Sequence, residues 1–177
     1  MPDPASFLEE IGDVTRALSR VGLDPVLVGG MALVLLGSTR VTRDFDFVVP
    51  DPRGRIDQLL DAFYERGFEL VSRLDDGGDV RATIDNRRVA GARLRMDAPR
   101  SAYFYKPSNG LRIDLLFDFP LPASDLAARA ESTKVGAQRL RVASEPDLLR
   151  LKKIALAARS VPGDAQDVAF LEARRPR

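Results

Sequence analysis

The sequence contains no cysteine and no histidine. Without cysteine there are no disulfides and no thiol chemistry. Without histidine there are no histidine general bases, no Ser-His-Asp triads and no His-based metal sites. Any catalysis must rest on carboxylates, Lys, Arg, Tyr and a bound metal ion. No apolar run approaches membrane-spanning length, and the acidic N-terminus is unlike a signal peptide, so a cytoplasmic protein with no membrane partner is expected. An excess of charge of one sign is also missing. The chain has 27 Lys and Arg against 26 Asp and Glu, and a net charge of +1 selects no class of partner. A local cluster, Arg87, Arg88, Arg93 and Arg95, reads as a solvated sheet face, with contact to a polyanion as the alternative. Apolar residues are plentiful: they make up 45% of 177 residues, enough for one domain with a sizeable core.

The most informative stretch is 26–49. A short aliphatic run, Val26 to Val28, is followed by Gly29 and Gly30, an apolar helical segment from Met31 to Leu36, and a polar turn from Gly37 to Arg43. A second strand then carries Asp44 and Asp46. A diglycine between strand and helix lets the backbone approach a ligand and leaves free N–H groups that favour a phosphate. Residues i and i+2 of a strand share a face, so Asp44 and Asp46 lie together while Phe45 and Phe47 face the core. Paired carboxylates repel unless a hard divalent cation sits between them. A phosphate cradle beside a carboxylate pair describes a site for Mg2+ and a nucleoside triphosphate.

Residues 5–21 read as an amphipathic helix with a Ser6/Glu9 capping box and Gly22 as its C-cap. Arg55 to Arg66 reads as a second helix, and Phe68 to Val71 as a short strand. From Val80 to Phe119 the period changes to two, including Ala92, Leu94 and Met96, and sheet is expected throughout. Lys106 to Gly110 reads as a hairpin turn. Asp114 is a lone acid in the apolar strand Leu111 to Phe117, so a cation is expected beside it, either a metal or an arginine. Ser124 reads as the cap of a short helix, and 135–142 as a small hairpin. Pro146 opens a helix at its permitted first position, and Asp164 reads as the N-cap of the last helix.

The order Gly29-Gly30, spacer, Asp44-Phe45-Asp46 resembles the signature of the polymerase-β-like nucleotidyltransferase superfamily. The words Gly29 to Leu33 and Arg40 to Asp46 are similar to the minimal bacterial members, among them the AbiEii-type toxins of toxin–antitoxin pairs. The segment Asp147 to Ala155, followed by Arg159, Asp164 and Asp167, resembles the same group. The resemblance implies an α/β nucleotidyltransferase fold, with a central mixed sheet flanked by helices and a small C-terminal helical element. Residues 1–120 would form the catalytic core, and 121–177 a connector and C-terminal helices packed on it.

The implied enzyme moves a nucleoside monophosphate from an NTP to an acceptor hydroxyl. Asp44, Asp46 and Asp114 would be the catalytic, metal-holding acids for Mg2+ or Mn2+, with Asp118 as the substitute for Asp114. Gly29, Gly30, Ser38, Arg40 and Lys152 would bind the nucleotide, with Lys153 as the alternative to Lys152. The sequence departs from the pattern in two ways: Gly30 stands where many members have Ser, and the spacer is long. The resemblance implies RNA, a tRNA end among the candidates, as acceptor and an antitoxin protein as partner. An aminoglycoside or lincosamide acceptor, a protein acceptor and a non-catalytic nucleotide-binding module are the alternatives.

Overall fold

The computed structural model describes residues 4–159 and 161–176. In chain order the elements are α1 (Pro4–Arg20), β1 (Val26–Val28), α2 (Gly29–Leu35), β2 (Asp44–Val49), α3 (Ile56–Tyr64), β3 (Glu69–Leu74) and β4 (Val80–Ile84). They continue as α4 (Arg87–Asp97), β5 (Ser101–Tyr105), β6 (Arg112–Phe117), α5 (Ala123–Arg129), β7 (Glu131–Val135), β8 (Gln138–Val142), α6 (Glu145–Ala158) and α7 (Pro162–Ala173). All eight strands join one mixed sheet in the order β4-β3-β5-β6-β2-β1-β8-β7. Residues 121–177 thus add two strands to the sheet as well as the last three helices. No described helix is long and apolar enough to cross a membrane.

The centre of the sheet is pinned by alternation. On β2, Phe45 and Phe47 are buried at 5% and 1% exposure, and their β6 partners Ile113 and Leu115 are fully buried. Burying each such side chain contributes about 1.5–3 kcal/mol. A one-residue slip would exchange the phenylalanines for Asp44 and Asp46, so the core fixes which face carries the acids. Helix α3 covers the core with Leu59, Leu60 and Phe63, and Phe63 stacks on Phe104 with ring centroids 3.8 Å apart. Helix α1 contributes Ile11, Val14 and Leu18 and ends at Gly22, where φ is +76° and the Leu23 N–H bonds the Leu18 carbonyl at 3.0 Å. That is the wrapped-back C-terminus expected of a helix stopped by glycine.

Four local expectations give way. Residues 87–97 form helix α4, not sheet, and the arginine cluster lies on it. Asn86 caps the helix by accepting from the Arg88 and Val89 amides, and the buried positions Ala90 and Leu94 have helical spacing. The apparent alternation misleads because Met96 is 80% exposed. Ser6 is no N-cap, since α1 already begins at Pro4. Ser124 is not the cap of α5 either: the first amide there, Ala123, is satisfied by the Asp118 carboxylate at 2.8 Å. Asp164 lies inside α7, which starts at Pro162, and it is buried.

Candidate active site

The β2–β6 register is parallel and sets Asp46 directly beside Asp114, with Asp44 two positions along the same face. The antiparallel β5–β6 hairpin sets Tyr103 opposite Asp114. Three acids and a phenol therefore meet on one side of the sheet, drawn from strands far apart in sequence. Asp118 takes no part in this group. Its carboxylate caps the Asp51 amide at 2.9 Å and the Ala123 amide at 2.8 Å.

The electrostatics of the group are strained. Burial, then the charges of Asp46 and Asp44, push the Asp114 carboxyl up to about 8. Burial and Asp44 push Asp46 up to about 6, against the pull of Lys152, Arg40 and Arg159. Burial and Asp44 also raise the Tyr103 hydroxyl. Asp44 Oδ1 is buried with no hydrogen-bond partner, and the Arg112 guanidinium, 3.7 Å away, is too distant to supply one. A buried acceptor without a donor is costly. An all-oxygen donor set suits a hard divalent cation such as Mg2+ or Mn2+, so the residues fit such an ion in kind. Among the described residues no three acids stand in a ready-made cage around one point, as mutual repulsion would have it.

A second group faces the acids. Lys152, only 9% exposed, places its Nζ 2.7 Å from Asp167 and 3.6 Å from Asp164. Arg40 also pairs with Asp167, and Arg159 pairs with Asp164 at 2.8 Å. Asp164 stays ionised below the ordinary carboxylate range because Arg159 and Lys152 outweigh the effect of its burial. Three cations, Arg40 from the turn before β2 and Lys152 and Arg159 from α6 and its C-terminal cap, are thus anchored by two buried carboxylates of α7. Lys153, in contrast, turns away to Glu172 at 2.9 Å. Ser38 supports the turn before β2, its Oγ accepting from the Arg40 amide at 3.4 Å.

The diglycine makes room for the site's own side chains. A Cβ on Gly29 would run into the Asp46 carboxylate, and the Gly29 φ of +69° is one that other residues rarely adopt. A Cβ on Gly30 would meet Arg40 Cζ at 2.9 Å. A methyl group there would displace the flexible end of Arg40 and leave the fold intact. Gly30→Ala is expected to change the thermal midpoint little and to weaken NTP binding about ten-fold, about 1.4 kcal/mol, measured by calorimetric titration.

The sequence profile of the AbiEii family, described as nucleotidyl transferase toxins of type IV toxin–antitoxin systems, matches residues 15–176. The chain belongs to this family. It is a nucleotidyltransferase, and solved structures share its fold. An antigenic nucleotidyltransferase-like protein from Paracoccidioides brasiliensis aligns with a TM-score of 0.59 and 19% identity, over 97% of this chain and 78% of that one. ANT(2")-Ia in complex with adenylyl-2"-tobramycin aligns with a TM-score of 0.56 and 14% identity, over 94% of this chain and 87% of that one. The lincosamide adenylyltransferase LnuA, lincomycin-bound, gives 0.54 and 12%, over 94% and 97% of the two chains. No curated protein is similar enough in sequence to count as a relative.

Two residues beside the acids, Tyr103 and Arg112, are not among the candidates drawn from the sequence. Tyr103 is reachable by counting back from the 106–110 turn, which sets it opposite Asp114. Arg112 sits beside Asp44 and ties the 75–79 turn to β6, donating to Asp79 at 3.1 Å and to the Gly78 carbonyl at 3.4 Å. A cavity of about 520 Å3 between Pro52, Leu94, Arg100 and Phe117 is lined by no acid of the group.

The acids also set a pH dependence. An Asp that titrates near 3.8 when unfolded and about 8 when folded costs nothing below pH 4. Between those values the unfolded chain ionises first, so stability falls as pH rises and levels off above pH 8. Asp114→Asn removes the penalty. The variant is expected to match wild type near pH 4 and to exceed it by several kcal/mol at pH 8.5, because each tenfold change in proton affinity is worth about 1.4 kcal/mol. Urea unfolding across pH reads the difference.

Proposed function

We propose that this protein transfers a nucleoside monophosphate from an NTP to a hydroxyl of RNA, a tRNA end among the candidates, as the toxin of a toxin–antitoxin pair. The observation that carries the transfer reaction is the two-sided site: Asp44, Asp46 and Asp114 on one sheet face, opposed by Arg40, Lys152 and Arg159. Family membership supports the antitoxin partner; the RNA acceptor and a cytoplasmic setting are part of the proposed reading.

In this reading the triphosphate lies along the cations. Arg40, Lys152 and Arg159 offset the charge that builds on the departing pyrophosphate, which needs only positioned charge and no covalent step. The acceptor hydroxyl oxygen attacks the α-phosphorus, the bond from that phosphorus to the bridging oxygen breaks, and pyrophosphate leaves. The hydroxyl proton passes to the Asp114 carboxylate, whose affinity for a proton near neutral pH suits a general base. Asp44, Asp46 and Asp114 would hold Mg2+ or Mn2+, which when bound neutralises phosphate charge and lowers the pKa of the hydroxyl. Residues 1–120 are then the core that carries the acids, and 121–177 complete the site with Lys152 and Arg159.

A small hydroxylated drug is the second reading, favoured by the fold shared with the tobramycin and lincomycin enzymes. The deciding experiment incubates the protein with Mg2+, each α-labelled NTP in turn, and total RNA. An Asp44→Asn/Asp46→Asn variant serves as control. Label in a tRNA-sized band with wild type alone supports the RNA reading and identifies the base. NTP binding without label in RNA or protein would sink that reading and leave the drug acceptor.

A further inference from the structure

The chain is nearly neutral in sum, yet one band of its surface is not. Arg16 and Arg20 on the last turns of α1 line a groove of about 250 Å3 together with Arg139 and Arg141 of β8. Lys134 of β7 stands directly opposite Arg139 in the antiparallel register. All five side chains are exposed. Among the described residues Arg16 alone has a carboxylate partner, Asp13; Arg141 donates only to the Ala127 carbonyl.

Two placements in the band work against stability. Arg16 and Arg20 are four apart on a helix, where like charges repel. Lys134 and Arg139 form a like-charged cross-strand pair, which is also unfavourable. A bound polyanion would neutralise both. The register also relates the band to the acids. Val142 pairs with Leu27, whose β2 partner Phe47 faces away from Asp46, so Arg139 and Arg141 project from the acid-bearing face of the sheet. Arg16 and Arg20, in contrast, ride on α1, which packs on the Phe47 face, and Arg16 donates to Gln138. The groove, lined also by Pro25 and Phe47, links the two sides. Strand rise and spacing put their Cα atoms about 16 and 12 Å from that of Asp46. No exposed large hydrophobic side chain among the described residues belongs to the band. A protein interface or a membrane-seated helix would need such anchors, whereas a phosphate backbone needs only the guanidinium and ammonium groups.

We infer that Arg16, Arg20, Lys134, Arg139 and Arg141 form a docking band for the sugar–phosphate backbone of an RNA whose end reaches the acids. The inference rests on the RNA reading proposed above and extends it to a surface outside the site. The probe is fluorescein-labelled tRNA, titrated by anisotropy at several salt concentrations against wild type and an Arg16→Gln/Arg20→Gln/Arg139→Gln/Arg141→Gln variant. Duplex DNA of similar length is the comparator, and label transfer to the same tRNA is measured in parallel.

Each phosphate contact contributes about 0.7 to 0.9 to the slope of log affinity against log salt. The variant is expected to lose about three units of slope and at least thirty-fold in affinity at low salt, with Mg2+–NTP binding unchanged. Lys134→Glu guards against misfolding of the multiple variant. It should raise the thermal midpoint by relieving the pair with Arg139, yet weaken tRNA binding several-fold. Unchanged affinity and slope in these variants, or no tRNA binding by wild type, would overturn the band. Equal tightness for duplex DNA would overturn the choice of RNA. Loss of binding in the variant beside a wild type that binds but never labels tRNA would support the band and sink the transfer reading. The converse, labelled tRNA with an indifferent variant, would do the reverse.

Discussion

Asp44→Asn/Asp46→Asn is expected to lower nucleotidyl transfer about a thousand-fold or more, about 4 kcal/mol of barrier, while unfolding at higher urea than wild type. The two effects have opposite signs for one physical reason. Asp46 is pushed up to about 6 by burial first and by Asp44 second. A carboxyl with a folded value raised above 3.8 contributes no penalty in acid, and its penalty grows until pH passes the folded value. At pH 7.5 it is ionised in both states, and holding its charge in the fold costs on the order of 3 kcal/mol. Asn carries no charge and escapes that cost. It also cannot hold a cation against a triphosphate. Label transfer and urea unfolding at pH 7.5 are the two measurements. Loss of both activity and stability would mean that the acids serve the fold, and the catalytic assignment would fall.

This opposition of sign separates the acids from the rest of the sheet. Phe45 and Phe47 alternate with them on the same strand and are buried. Truncating either to Ala would cost about 3–5 kcal/mol. One strand thus carries residues that hold the fold together and residues that strain it, and their alternation lets both be satisfied.

That alternation made the acid pair legible from sequence. Period two over 44–49, a diglycine and a polar spacer are local signals, and local signals survive without a structure. Asp114 was reachable because a lone acid in an apolar strand demands a cation, and the acids Asp46 and Asp44 stand beside it, with no arginine among the causes of its shift. What failed depended on distant contacts or on competing periods. Ala92, Leu94 and Met96 alternate as a strand would, but Asn86 caps a helix there and only Leu94 of the three is buried. Asp164 has the composition of an N-cap, yet Lys152 and Arg159 draw it inward. Lys152 and Arg159 share one helical stripe, but no window of sequence shows Arg40 joining them, because the turn before β2 and α6 must fold before they meet.

The second large effect lies in that convergence. Asp167 is 4% exposed and holds both Lys152, at 2.7 Å, and Arg40. Removing one member of a buried pair leaves an uncompensated charge and costs about 3–5 kcal/mol. Asp167→Leu is expected to fall at the lower end of that range, because Asp164 remains 3.6 Å from Lys152 and Arg40 is partly solvated. Lys152→Met/Asp167→Leu removes the charge on both sides and should recover more than half of the lost stability, since an apolar pair of similar volume replaces a buried ion pair at little net cost. Transfer activity should remain low in both variants if Lys152 meets the triphosphate, for the double variant restores packing without restoring the cation. Urea unfolding and NTP titration of the single and double variants decide the matter. Recovery of NTP affinity along with stability would show that Asp167 and Lys152 act only as a structural clamp. Stability without affinity would place the Lys152 ammonium on the phosphates.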